Sequence, residues 1–186
     1  MRTALDAGHG FVHGRRPTGA QANGLVEDDL ALDLVRRIGH HPRAAGHETI
    51  YTRPDETFIP LSERGPTARI GGCQLFLSIH CNAGPANARG AQAYVTEGDL
   101  RSREVARKLL HAIGACGMPL RGVKWDSQSA RSRLRVLRDT YRHMPSVLLE
   151  IGFLTNATDA RALSSRYWRD RLARLLSDAI AQKPAE

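Results

Sequence analysis

Leu75-Phe76-Leu77-Ser78-Ile79-His80 is the stretch whose reading decides the fold. The run is too short for a helix, is almost wholly apolar, and ends in an imidazole. It reads as a buried strand. Two further runs repeat the form. Towards the N-terminus, Thr3-Ala4-Leu5-Asp6-Ala7-Gly8-His9 closes on His9, and towards the C-terminus Val147-Leu148-Leu149-Glu150-Ile151-Gly152 carries Glu150. Gly and Asn close by punctuate the strand ends. If the three strands lie parallel, their carboxyl ends share the edge where open α/β sheets place ligands. His9, His80 and Glu150, far apart in sequence, then converge.

The segments between these runs alternate in type. Strands are expected over 2–7, 48–52, 74–79, 90–95, 134–138 and 146–151. A first helix is expected from near Leu25, with Leu30, Leu34 and Ile38 at helical spacing and Glu27, Asp28 and Asp29 in its first turn, stopping at Pro42 and Gly46. Further helices are expected over 61–71, despite Gly65-Pro66, and over 99–114, with Leu100, Val105, Leu109 and Ile113 facing inward. Two more follow over 157–164 and 167–181. Residues 8–24, with Arg15, Arg16 and Pro17, read as a loop lining the site, and the stretch through Gly117, Pro119 and Gly122 as another. The 186 residues suit one domain covering 1–186, with no second, separate binding domain. The expected class is α/β: a mostly parallel twisted sheet of about six strands with helices on both faces.

Composition narrows the function. No run approaches the ~18 apolar residues of a membrane span. Met1-Arg2 leads straight into the first strand with no apolar leader region, so no signal peptide and no membrane insertion are expected. The net charge of +8, from 27 basic and 19 acidic residues, favours a polyanionic partner, although solvated helix faces account for scattered arginines equally well. Aromatic residues are too few for single-strand stacking platforms, so nucleic acid is not the expected partner. Cys73, Cys81 and Cys116 are odd in number and form no CxxC pair, which reads as inert thiols.

Hydrolytic zinc sites commonly use three His or carboxylate ligands and leave a position open for water. His9 and His80 offer imidazoles at strand ends. Glu27, at a helix start reached from His9 through a Gly-rich loop, offers the carboxylate. Glu150 would sit beside them as a base, because a carboxylate ending an apolar strand needs a strong partner.

The same residues carry a family resemblance. LDAGHG at 5–10, GLVEDDLALDLV at 24–35, YTRPDETFIPLSERGPTA at 51–68, LFLSIHCNA at 75–83, GAQAYV at 90–95 and SVLLEIGFLTN at 146–156 occur in order over nearly the whole chain. Together they resemble the zinc-dependent N-acetylmuramoyl-L-alanine amidases of the type-3 family, found in bacteria and in phage lysins. The resemblance implies one Zn2+ on His9, Glu27 and His80, with Glu150 as the catalytic carboxylate. The implied substrate is peptidoglycan, cut at the amide between N-acetylmuramic acid and L-alanine. Phe11, Pro42 and Pro66 depart from the family pattern, but none is a ligand.

Asn82, Arg64 and Arg138 are the expected substrate contacts. Asp6 either orients an imidazole or bonds loop backbone. Some secreted members of the family carry a helical insertion that blocks the cleft until a partner removes it. Here Cys81–Arg89 is too short and too rich in turn formers for that, and 115–133 lacks an amphipathic face. An open cleft, no activator protein and a monomer are therefore expected. So is the behaviour of a phage or prophage endolysin, made in the cytoplasm and reaching the wall after membrane breach. Two other readings stand beside this one: a zinc peptidase of amino- or carboxypeptidase type on a similar sheet, and a non-catalytic basic binding protein.

Overall fold

Alternation along the central strands settles which side chains share a face. In the computed structural model, which describes residues 1–12, 18–41 and 47–181, β1 (Arg2–Ala7), β5 (Leu75–Asn82) and β8 (Ser146–Phe153) lie side by side and parallel. Leu5, Ala7, Leu77, Ile79, Cys81, Val147, Leu149 and Ile151 enter the larger core. The intervening Ala4, Phe76 and Leu148 enter a smaller core on the opposite face. The period of two therefore puts Asp6, Ser78, His80 and Glu150 on the smaller core's side.

The six-stranded sheet has the order β4-β1-β5-β8-β6-β7, with β4 spanning Glu48–Tyr51, β6 Ala91–Val95 and β7 Leu120–Trp125. The β6–β8 pairing is antiparallel and the other pairings are parallel. A mostly parallel sheet covered on both faces was expected, and it is found. Helices α1 (Glu27–His40), α3 (Leu100–Ala115) and α6 (Arg166–Ala181) cover the larger core. The short α5 (Ala157–Ser164) adds Leu163 to it. Among the described residues the other face carries only α2 (Leu61–Ile70) and the single-turn α4 (Arg135–Arg138). Each fully buried Leu, Ile or Phe contributes ~1.5–3 kcal/mol, so the thicker layer carries most of the stability. The thin layer leaves room over the sheet.

Four expectations need correction. Residues 134–138 form a helical turn, not a strand; Val136 and Leu137 are buried as neighbours, which a strand would send to opposite faces. The sixth strand is instead β7, read as loop because Gly122 and exposed residues interrupt any alternation. The first helix begins at Glu27 rather than Leu25, because Asn23 and Gly24 both take positive φ (51° and 73°) and turn β2 (Gln21–Ala22) back on β3 (Leu25–Val26). Leu100 is exposed rather than inward-facing; it sits at the first position of α3, just after the Asp99 cap. Helix α2 does run through Pro66. The expected loop residues Arg15, Arg16 and Pro17, and the helix stop at Pro42 and Gly46, lie outside the described residues.

Candidate functional site

At the carboxyl end of β1 the chain passes through Gly8 into His9, whose φ of 63° is left-handed. A non-glycine residue holds that conformation only when its surroundings impose it. Two arginines supply the constraint. Arg64, 1% exposed, donates to the carbonyls of Ala7 (2.7 Å) and His9 (2.5 Å). Arg53, also 1% exposed, donates to the carbonyls of Ala7, Gly8 and Asp28. The loop backbone is thereby tied to the first turn of α1, where Glu27 sits. Gly8 is required for a different reason: a Cβ there would lie 2.6 Å from His80 Nδ1, so the imidazole packs directly on bare backbone.

Three side chains converge above this platform. Glu27 Oε1 lies 3.1 Å from His9 Nε2 and 3.0 Å from His80 Nδ1, and the two rings meet edge-on at 4.9 Å between centroids. The Cys81 amide donates to the same oxygen, and the Ala20 amide donates to Glu27 Oε2 at 2.8 Å. The Glu27 carboxylate is thus fixed at both oxygens. Burial works against its charge, but hydrogen bonds from His80 and His9 outweigh burial and hold its pKa well below the usual carboxylate range. Burial likewise disfavours a charged His80, yet the bond to Glu27 prevails and raises its pKa.

His9, Glu27 and His80 each offer a ligand atom, all within 4.8 Å of one another. Donors bound to a tetrahedral divalent ion at ~2.0–2.2 Å stand roughly 3.4 Å apart, which the two His–Glu separations approach. The donor set therefore fits a metal ion, with imidazole and carboxylate chemistry suited to a borderline ion such as zinc. Cys81 is buried on the opposite face of β5 and its thiol belongs to the larger core. Its pKa is pushed well up by burial.

Glu150 is the cross-strand neighbour of His80. Its Oε2 is sealed from solvent and has no partner among the described residues. Burial, with a smaller contribution from the Glu27 charge and a contrary one from His80, raises its pKa from 4.5 to about 7. A carboxylate so tuned suits proton transfer near neutrality.

Asp6 neither orients an imidazole nor bonds loop backbone. It accepts from Thr52 Oγ1, from Ser78 Oγ at 2.5 Å and from Arg64 Nη1 at 3.1 Å. Arg64, expected to touch substrate, lines the cleft and donates to Asp6 and to the carbonyls of Ala7 and His9. Asn82 lies two residues beyond His80, half-buried, with its Nδ2 unpartnered among the described residues. Arg138 is exposed and lines a neighbouring trough rather than the cleft. The cleft itself, about 400 Å³, is lined by His9 and His80, by Phe58, Leu61 and Leu134, and by Arg131, Arg133 and Arg135. Those three arginines are not among the expected contacts, and Arg53 enters the expectations only through the 51–68 stretch of the family resemblance. The RSRLRVL run at 131–137 held the signal for the first group, but it was read partly as a strand.

The family profile described as N-acetylmuramoyl-L-alanine amidase matches residues 4–182. Over 170 residues the chain is 34% identical to the N-acetylmuramoyl-L-alanine amidase LytC of Bacillus subtilis (strain 168), covering 89% of this chain and 33% of that protein. It is 30% identical over 181 residues to the endolysin of Bacillus phage SPP1, covering 96% of this chain and 64% of that one. The catalytic domain of CwlV, an N-acetylmuramoyl-L-alanine amidase from Bacillus (Paenibacillus) polymyxa var. colistinus, superimposes with a TM-score of 0.81 at 27% identity, over 96% of this chain and 95% of that one. The chain thus spans a third of the length of the first relative and just under two thirds of the second.

Proposed function

The chain belongs to the N-acetylmuramoyl-L-alanine amidase family, and from that membership we propose that it hydrolyses peptidoglycan at the amide between N-acetylmuramic acid and L-alanine. The observation that carries the reading is the placement of Glu150 directly across from His80, on the sheet face where His9, Glu27 and His80 converge. One zinc ion on these three residues would supply Lewis acidity to the scissile carbonyl and to water. The chain's own groups do the rest. Glu27, fixed at both oxygens, holds the two imidazoles in register. Glu150 takes the proton of the attacking water on a carboxylate oxygen and delivers it to the departing amine nitrogen. The apolar walls at Phe58, Leu61 and Leu134 limit water around the reacting groups.

The peptidase alternative draws no support from the site, since many such enzymes hold two metals. Among the described residues His9, Glu27 and His80 are the one group of three or more ligating side chains. The test is digestion of purified peptidoglycan with mass analysis. Release of intact stem peptides with a free L-alanine amine supports the amidase, and release of single amino acids refutes it.

The proposal extends to delivery. The connection from Asn82 to Ala91 holds no helix that could close the cleft, and no helix among the described residues is long and apolar enough to cross a membrane. An enzyme active as a monomer, without an activator, fits an endolysin released to the wall by membrane breach. With a net charge of +8, its attraction to an anionic envelope falls as salt rises. Purified protein that is inert on peptidoglycan until a second protein is added would refute the first point. Lysis rates independent of salt would refute the second.

A further inference from the structure

Beside the cleft, on the same sheet face, lies a second depression of about 630 Å³ between α2 and α4. Its walls carry Arg69, Arg133, Arg135, Arg138 and Arg142, against the single carboxylate of Asp139. Asp139 is engaged by Arg135 at 3.3 Å. The guanidinium groups of Arg133 and Arg138 have no hydrogen-bond or ion-pair partner among the described residues, and both residues are exposed. Arg133 and Arg135 line the cleft as well as the trough, so the two spaces adjoin at these side chains. The two unpaired guanidinium forks, of Arg133 and Arg138, suit a carboxylate or phosphate, which such a group binds bidentately.

Adjacency to the cleft chooses the ligand. A substrate whose scissile amide lies over His80 and Glu150 extends from that bond in two directions. The glycan side consists of N-acetylated sugars, uncharged once the lactyl group is in amide linkage. The peptide side carries free carboxylates. We propose that the arginine trough is the subsite for the carboxylates of the stem peptide. The peptide then runs over α4 and the glycan leaves on the opposite side, towards β6 and β7. This deepens the amidase reading and rests on it for the identity of the scissile bond.

The test uses an N-acetylmuramoyl-tripeptide in two forms, with its carboxylates free and with them amidated. It also uses the free tripeptide and a soluble poly(glycerol phosphate) as calorimetric probes. The wild type is compared with Arg133→Gln/Arg138→Gln, both exposed and unpartnered positions whose loss does not threaten folding. The expected result is that wild type prefers the acidic over the amidated substrate in KM, and that this preference falls by about tenfold in the double variant. Calorimetric affinity for the free tripeptide falls in parallel. Equal preference in the two proteins overturns the proposal. So does poly(glycerol phosphate) binding that is lost in the variant while tripeptide binding is kept. A wild type that cleaves neither substrate sinks the amidase reading alone. The tripeptide titration then still decides the trough: an arginine-dependent affinity upholds it, and none refutes it.

Discussion

Asp6 and Glu27 are both buried carboxylates at the root of the same cleft, 0% and 3% exposed, and they are treated in opposite ways. Asp6 is surrounded by a guanidinium and two hydroxyls, none of which is a metal ligand in its ordinary state. Glu27 is surrounded by two backbone amides and two imidazoles. Only the imidazoles can give up a proton and turn their lone pairs to another electrophile. The first cluster can do nothing but hold the His9 loop; the second can exchange its proton for a metal. Burial and charge are nearly the same, so the chemistry of the partners separates scaffold from site.

The sharpest way to break this contrast is to remove one member at a time. His9→Ala, His80→Ala and Glu27→Ala should each lose bound zinc, by metal analysis of the purified protein, and lose turnover with it. Glu150→Gln should keep the metal and lose turnover by about 10²–10⁴-fold, the share expected of a general base. Full zinc occupancy in His80→Ala would take His80 out of the ligand set, and near-normal turnover in Glu150→Gln would take Glu150 out of its role. At the other cluster the losses should appear in stability. Arg64→Met leaves the Asp6 charge buried without its cation and should cost about 3–5 kcal/mol in denaturant unfolding of the metal-free protein. Asp6→Asn/Arg64→Met should cost less than the sum of the single changes. Additive losses would mean that the two residues do not act as a pair.

That division was only half visible in the sequence. His9, His80 and Glu150 could be read because each closes or interrupts an apolar run; the rule of two then places His80 and Glu150 on one face, while His9 reaches them only through its left-handed turn beyond β1. Glu27 could be read because the helix after the Gly-rich loop begins there. Arg53 and Arg64 were legible only as members of the 51–68 stretch of the family resemblance, since an arginine in a polar stretch is ordinarily a surface residue. Their burial depends on carbonyls of residues 7–9 and 28, brought near by the sheet and not by local spacing. Strand β7 was missed for a similar reason: Leu120, Arg121 and Gly122 are exposed, so the element is defined by its pairing with β6 and not by a pattern of its own.

A smaller effect sharpens the contrast from the metal side. A zinc ion held by the Glu27 cluster would bind the folded state alone, because its three ligands are far apart in the unfolded chain. At a free concentration 100 times the dissociation constant it should stabilise wild type by about 2.7 kcal/mol. Chelation by EDTA should remove that increment and the activity together, and added zinc should restore both. The same increment should survive in Glu150→Gln and vanish in Glu27→Ala. An EDTA-treated protein verified free of metal and still active would refute a metal-dependent mechanism.

The smallest effect concerns Glu150 in the metal-free protein, and its sign differs from that of Glu27. The depressed pKa of Glu27 means that its contribution is present above pH ~4.5 and is lost as pH falls towards the folded-state value. Glu150 is shifted the other way, from 4.5 to about 7. Between those values the unfolded chain has released the proton while the folded chain still holds it, so stability declines as pH rises across this window and levels off above it. The raised pKa of His80 adds a loss only above ~6.5, as the imidazole deprotonates. Glu150→Gln removes the carboxyl titration and leaves the other two. Across pH 4.5–7 the metal-free variant should therefore gain on wild type by about 2 kcal/mol, a figure reduced from the full shift because the side chain is partly open to solvent. Denaturant midpoints at several pH values, in chelator, measure the gain. If the difference between the two proteins stays constant across that window, Glu150 titrates as an ordinary carboxylate and is not tuned for proton transfer near neutrality. Metal binding should shrink the gain, because a cation beside Glu150 favours its charged form.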